Sequence, residues 1–271
     1  MEREVLKQKL TELAETEKTS APIEDLLFSM LPYIGDLDPI LRDRLIYGLA
    51  SKWITQGLVS PITMNQILDE LLTGRYLYKE EKFTRSFTTL WIAAILYRHR
   101  KEAFLSAAVI ERVFQALLTY IQQETVGEGY DETYGWVHTL AHAADALDEL
   151  IQLAELTNDQ RQTVAEEIIN KMAFPYNALS HEEDERMAFV IHSALRNGLP
   201  PDIVGCMVKE KASEVIAFWP EVTEADLYIR ANYKQFIRSL YFRLSDFPSL
   251  KKTLHGCEQL FSGIYHKKPS S

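Results

Sequence analysis

The sequence contains few of the residues that make turns or covalent frameworks. Its 271 residues include only 11 glycines, 10 prolines and two cysteines. So few turn-forming residues argue against a chain of many short strands. Cys206 and Cys257 lie far apart and form no CxxC pair, so neither a zinc knuckle nor a disulfide framework is indicated.

Long apolar runs and an excess of basic charge are also missing. The longest aromatic and aliphatic run, Trp91 to Tyr97, is far shorter than the roughly 20 residues of a membrane-spanning helix. The charged N-terminus has no apolar signal region. The net charge of −10 disfavours a phosphate backbone as a partner, and the basic cluster Arg98 to Lys101 suits a helix C-terminus. We expect a cytoplasmic protein that binds neither membranes nor nucleic acid.

What the sequence does contain is a regular series of helix start signals. Asp38-Pro39 and Ser60-Pro61 place a capping residue before a proline at the first helical position. Between such signals, apolar residues recur at helical spacing. About eleven helices and no convincing strand are therefore expected. Three pairs have capping-box spacing, namely Thr157 with Gln160, Ser180 with Glu183, and Thr223 with Asp226.

The helix starts are evenly spaced. Every second one falls near Asp38, Thr84, Thr133, Ser180 and Thr223, in steps of 46, 49, 47 and 43 residues. A helix pair recurring at this period is typical of HEAT and armadillo repeats. The spacing predicts an all-α superhelix of stacked helix hairpins, with a generic helical bundle as the alternative. We expect one domain over 1–271, with capping helices in 1–35, repeats in 36–265 and a frayed tail in 266–271.

The segment from Tyr134 to Ala154 is predicted to form the most informative helix. Five apolar residues from Val137 to Ile151 form a core stripe at steps of three and four. His138, His142, Asp145 and Glu149 form a second stripe, roughly 155° away at about 100° per residue. Two imidazoles one turn apart can hold a polar ligand, act in catalysis or bind a metal. A solvent-facing polar surface explains the same pattern.

Four further residues are candidates for the same site. Arg85 and Ser86 begin a helix that is apolar nearly all round, and a cation in a first turn opposes the helix dipole. Arg85 is therefore expected to pair with a carboxylate or with an anion. The acidic run before Met187 is largely explained by the Ser180 cap, which leaves Asp184 and Arg186 as candidates to face the groove.

These residues resemble a known bacterial family, the domain of unknown function 2785. The resemblance covers most of the chain, and it implies an all-helical fold with no assigned activity. The segments that carry the resemblance are Arg85-Ser86-Phe87, Gly135-Trp136-x-His138-x-x-Ala141-His142-x-x-Asp145, Asp184-Glu185-Arg186-Met187-Ala188, and Asn232 with Arg238-x-Leu240-Tyr241. The most specific element is the His-x-x-Ala-His-x-x-Asp core of the second of these segments.

The function expected from the sequence is binding through a concave groove, as in other helical repeats. The ligand would be a protein segment or a polar small molecule. The alternative is a hydrolase-like enzyme in which His138, His142 and Asp145 act as a general base or as weak candidates for a metal site. No cofactor is identified. The expected lining of the groove is Arg85, Ser86, Trp136, His138, His142, Asp145, Asp184 and Arg186.

Overall fold

The chain is mostly helical, as a computed structural model of residues 1–16, 22–217 and 222–262 shows. Within these residues there are twelve α-helices, a short 3-10 turn, one π-helix and one two-stranded ribbon. The helices are α1 Arg3–Thr16, α2 Ile23–Met30, α3 Gly48–Thr55, α4 Pro61–Leu71, α5 Lys82–Lys101, α6 Ala107–Gln123, α7 Thr139–Ile151, α8 Asn158–Lys171, α9 Glu183–Arg196, α10 Pro201–Ala217, α11 Glu224–Arg243 and α12 Pro248–Ser262. The all-α prediction is confirmed.

Side-chain caps begin many of these helices where the sequence indicates. Ser60 accepts a hydrogen bond from the amide of Thr63 at the start of α4. The capping boxes predicted at Thr157 and Thr223 are both present. Each cap satisfies amides that lack a partner inside the helix, so these starts are fixed locally by the sequence.

The helices pack mainly on their next-but-one neighbours in the chain. α5 packs on α7, α7 on α9, and α9 on α11, while α8 packs on α10 and α10 on α12. The odd-numbered helices therefore form one layer and the even-numbered helices form another. α5 is central in the first layer, since every residue from Phe87 to Leu96 is buried.

An eight-residue π-helix, Ile40–Tyr47, leads directly into α3. It ends where the amide of Gly48 donates to the carbonyl of Asp43, five residues back. π-helical segments are rare and occur often at functional sites. This one directs Asp43 and Tyr47 towards the odd-numbered layer, where both line a cavity.

Three local predictions were wrong. α7 begins at Thr139 rather than at Tyr134, because the preceding residues form an antiparallel ribbon of β1 Tyr130–Asp131 and β2 Gly135–Trp136. The predicted absence of strands fails at this ribbon. Ser180 forms no capping box either, because the N-cap of α9 is Glu182 in a left-handed conformation.

The tail predicted in 266–271 lies outside the described residues, as does the end of the repeat region after Ser262. Among the helices that are described, none is both long and apolar enough to cross a membrane.

Candidate functional site

A groove runs along the exposed side of the odd-numbered layer. It consists of two adjoining cavities, of ≈ 560 and ≈ 480 Å³, and Tyr47, Leu90, Glu182 and Arg186 line both. We call the first the histidine pocket and the second the acidic section. Both volumes lie in the range of small-molecule sites.

The histidine pocket is built at the ends of elements. The ribbon and the start of α7 supply Trp136, His138 and His142, and the turn before α9 supplies His181. Trp136 stacks on His138 with ring centroids 4.6 Å apart, while remaining 46% exposed. The other lining residues are Asp43, Tyr47, Phe87, Leu90, Ser180, Glu182 and Arg186.

The hydrogen bonds of Ser86 fix the tautomer of His142. The Ser86 hydroxyl donates its only hydrogen to the carbonyl of Val137, at 2.5 Å. Its oxygen lies 2.9 Å from Nδ1 of His142 and must therefore accept a hydrogen bond from that nitrogen. Nε2 is consequently unprotonated in the neutral ring. It has no protein partner among the described residues, and His142 lines the pocket.

The lowered pKa of His142 also favours the neutral form of its ring. It is 7% exposed, and its pKa lies well below the usual value because of burial first, then because of the positive potential of His138, Arg186 and Arg42. Near pH 7 the ring therefore offers the pocket a lone pair, which can accept a hydrogen bond or a proton.

His138 is held from behind by a carboxylate. Its Nδ1 lies 3.9 Å from Oε1 of Glu183, and neither buried atom has a hydrogen-bond partner among the described residues. Burial opposes the charged form of Glu183, but His138 and the amide of His181 outweigh it and hold the pKa of this carboxyl below its usual value. The carboxylate and the ring therefore form a buried polar pair.

Two backbone positions beside the pocket are unusual. His138 and Glu182 have φ of 47° and 67°, and they are the non-glycine residues with positive φ in the described parts of the chain. Such conformations cost about 1–3 kcal/mol and cluster at functional sites. The amides of Val137 and His138 both donate to the carbonyl of Gly129, which fixes the turn before α7.

Gly129 is required by close packing. A Cβ atom built there would lie 2.3 Å from the side chain of His181 and 2.6 Å from Oε1 of Glu183. Any larger residue would thus push apart the two segments that carry His138 and Glu183.

A fully buried arginine ties the π-helix to the ribbon. Arg42 bonds to the carboxylate of Asp43 and to the carbonyls of Asp36 and Tyr134, at 2.7, 2.9 and 2.7 Å. Its guanidinium also lies over the rings of Phe83 and Phe87. These contacts place the ribbon, and hence Trp136 and His138, at the mouth of the pocket.

The acidic section is lined by α3, α5, α7, α9 and Arg243 of α11. Most of its carboxylates are paired with arginine: Asp145 with Arg186 at 2.5 Å, Glu185 with Arg243 at 2.7 Å, and Glu149 with Arg100 at 2.8 Å.

Asp148 differs from the other acids of this section. It is 9% exposed, and its Oδ2 accepts from Gln152 at 2.7 Å. Burial, only partly offset by its neighbours, raises its pKa to about 6. This carboxyl therefore titrates close to neutral pH.

The structure brings together most of the candidates from the sequence. His138, His142, Trp136 and Arg186 line the histidine pocket, Asp145 lines the acidic section, and Ser86 lies directly behind His142.

Arg85 and Asp184 lie elsewhere. Arg85 forms an ion pair with Glu124 at 2.7 Å and lines a separate cavity near Tyr120. The pairing with a carboxylate was one of the two expectations for this residue. Asp184 accepts from Ser239 and Gln235, at 2.5 and 3.1 Å, and so joins α9 to α11.

The histidine and carboxylate side chains of the groove do not form a metal centre. Among the described residues, no three His, Cys, Asp or Glu side chains are arranged to hold a metal ion. Asp145 is bonded to Arg186, and His142 and His138 are backed by Ser86 and Glu183. The pocket therefore contains the imidazoles of His138, His142 and His181, but no three donors in the described parts of the chain are placed together as a zinc site requires.

Several residues of the groove were missed by sequence reasoning. Glu183 was interpreted as part of a cap, and Arg42, Tyr47 and Asp148 gave no signal of their own. The run of four acids from Glu182 to Glu185 was the available hint, because it contains more carboxylates than a helix start needs.

The chain belongs to a family of unknown function. The family model described as Protein of unknown function (DUF2785) matches residues 78–242, which confirms the resemblance seen in the sequence. No curated protein and no solved structure matches the chain. The matched region contains both imidazoles and their supports, whereas Asp43 and Tyr47 precede it.

Proposed function

We propose that this protein is a HEAT-like superhelix of helix hairpins whose inner layer binds a polar small molecule in the groove. The repeat interpretation is supported by the packing of odd helices on odd and of even helices on even. The groove follows the odd-numbered layer, where a superhelix of hairpins has its concave side.

The observation that carries the proposal is the unprotonated Nε2 of His142 in a cavity of ≈ 560 Å³. This acceptor faces the cavity without a protein partner among the described residues, so a ligand with a hydrogen-bond donor can bind to it. The paired charges of the acidic section favour a polar ligand over an apolar one. A protein segment is a less favoured occupant, because the histidine pocket is of small-molecule size.

An enzyme is the second candidate, and the left-handed conformations of His138 and Glu182 favour it. In this version the same imidazoles act on the bound molecule, as argued in the next subsection. Metal catalysis is not part of the proposal, since the residues supply too few ligands.

A thermal-shift screen of polar small molecules and short peptides tests the binding proposal. A ligand at 100 times its Kd should stabilise the chain by about 2.7 kcal/mol. Leu90→Trp enlarges a side chain that lines both sections of the groove and should abolish the shift, whereas Ala108→Phe, at an exposed position of α6, should retain it. A ligand that stabilises Leu90→Trp as much as the unmodified chain would place binding outside the groove. Stabilisation by peptides alone would favour a protein partner.

A further inference from the structure

Two of the three imidazoles of the histidine pocket, those of His142 and His138, are supported from behind by different chemical groups. His142 donates Nδ1–H to a hydroxyl that is itself committed to a backbone carbonyl. His138 turns Nδ1 towards the buried carboxylate of Glu183. The ring centroids lie 5.4 Å apart, so both rings can reach one bound molecule. The neutral hydroxyl behind His142 suits a ring that accepts a proton. The carboxylate behind His138 suits a ring that donates one.

We propose that His142 acts as general base and His138 as general acid in the hydrolysis of a carboxylic ester bound in the histidine pocket. Ser86 and Glu183 are positioning residues in this scheme, because each acts through an imidazole. The inference rests on the proposed function, since it requires that the groove bind a small molecule.

The reaction needs only water as co-reactant. A water molecule gives a proton to Nε2 of His142 while its oxygen forms a bond to the ester carbonyl carbon. The bond from that carbon to the alcohol oxygen then breaks, and the leaving oxygen takes a proton from Nε2 of His138. The products are a carboxylic acid and an alcohol. His142 afterwards loses its proton to solvent and His138 regains one, so the enzyme returns to its starting state.

The charges around the pocket favour a neutral ester over a phosphate ester. Arg42 is bonded to Asp43 and Arg186 to Asp145, so both arginines are already neutralised. Glu182 lines the pocket and has no ionic partner among the described residues. A phosphate would therefore find no unpaired arginine in the pocket and would face the carboxylate of Glu182, whereas an uncharged ester needs no counter-charge.

His99 shows what a purely structural histidine looks like in the same chain. It is 2% exposed, and its Nδ1 accepts from the amides of Phe104 and Leu105 at 2.9 and 3.0 Å. That ring caps the end of α5 and borders neither cavity of the groove. The rings of His138 and His142 instead line a cavity, and His142 has Nε2 free.

The first arm of the test needs no substrate. Nitrogen NMR of imidazoles distinguishes the two neutral tautomers, and His142 should be the Nδ1–H form near pH 7. Ser86→Ala removes the oxygen that accepts Nδ1–H and should shift His142 towards the Nε2–H form. A purely packing role for Ser86 would leave the tautomer unchanged. The Nε2–H form in the unmodified chain would overturn the proposal, even if the groove binds a ligand.

The second arm separates the two roles by the leaving group. p-Nitrophenyl acetate releases a stable phenolate that needs no proton, whereas the alcohol of ethyl acetate does. His142→Gln should slow both hydrolyses about 100-fold or more, as expected for loss of a general base. His138→Gln and Glu183→Gln should slow ethyl acetate strongly and p-nitrophenyl acetate little. His255→Gln, at an exposed position of α12, is the control.

The outcomes are decisive in both directions. Equal rates for His142→Gln and His255→Gln on both esters would overturn the base assignment. An equal loss on both esters in His138→Gln would overturn the acid assignment. Circular dichroism of each variant distinguishes loss of the pair from loss of the fold, and Ser86→Ala provides a smaller change if His142→Gln unfolds.

Discussion

The two parts of the groove bury polar side chains in opposite ways. The histidine pocket lowers the pKa of His142 mainly by burial, and a hydroxyl bonded to a backbone carbonyl sets the tautomer of the ring. The acidic section keeps its carboxylates charged and neutralises most of them with arginines from other elements. Asp148 and Glu182 have no arginine partner among the described residues, and burial raises the pKa of Asp148 to about 6. One helix, α7, thus carries two buried groups, His142 and Asp148, that pH affects in opposite directions.

The largest expected loss of stability comes from a substitution of Arg42, which supports the histidine pocket. Arg42→Met removes the donors that satisfy Asp43 and two carbonyls and leaves a partly buried carboxylate without its partner. Breaking a buried ion pair typically costs about 3–5 kcal/mol. We expect a loss of this size in the free energy of unfolding, measured by chemical denaturation. Amide exchange should also accelerate in the ribbon, because its link to the π-helix is lost.

Arg44→Met is the matched control, because Arg44 belongs to the same π-helix and is exposed. Its effect should stay within about 0.5 kcal/mol. If both variants lose the same stability, the ribbon is held by other contacts and Arg42 does not support the pocket.

The next largest effect on stability is expected for a substitution in the acidic section. Near pH 7 the folded chain holds Asp148 as a poorly solvated carboxylate, so Asp148→Asn should stabilise it. The difference between about 6 and the ordinary 3.8 corresponds to about 3 kcal/mol. A raised carboxyl pKa means that the folded state binds more protons between these values. The unfavourable contribution of Asp148 should therefore shrink as the pH falls from 6 to 4, and the advantage of the variant should disappear.

Thermal unfolding at pH 7 and pH 4.5 measures this difference. Asp202→Asn, at an exposed position of α10, should change little at either pH. A destabilised Asp148→Asn at pH 7 would mean that the hydrogen bond to Gln152 outweighs the cost of burial.

The sequence predicts the fold better than it predicts the site, and the reason is physical. Caps such as Thr157 and Thr223 and the apolar spacing of Leu41, Leu45 and Leu49 act within a few residues. Local rules therefore recover the helices and their order. α7 was also expected to have one polar side, but His138 and His142 of that stripe are buried and Asp145 and Glu149 are half-buried, because α5 and α9 pack on the helix.

The site depends on contacts between distant residues, which no local pattern reveals. His138 and His142 were identified by their spacing, but their partners Glu183 and Ser86 come from other helices. The left-handed conformation of His138 depends on the carbonyl of Gly129. Asp145 was expected to act together with the histidines and instead pairs with Arg186, which reaches it from α9.

The smallest expected effect is the dependence of stability on pH that His142 causes, and it is opposite in sign to that of Asp148. Burial lowers the pKa of His142 below 6.5, so the unfolded chain binds more protons than the folded chain as the pH falls through this value. The contribution of the neutral ring to stability is present above pH 6.5 and is lost as the pH falls towards the folded pKa. One proton gives a slope of at most about 1.4 kcal/mol per pH unit. His142→Gln should remove this slope between pH 7 and pH 5.

Because Asp148 titrates in part of the same range, the comparison is sharpest in an Asp148→Asn background. There the unmodified imidazole should make stability fall with acidification, while His142→Gln should flatten the curve. His255→Gln in the same background should leave the slope unchanged, since His255 is exposed on α12. Denaturant midpoints at half-unit pH steps resolve such slopes. If His142→Gln keeps the slope of stability against pH, a group other than His142 binds the proton, and the assignment of this slope to His142 is wrong.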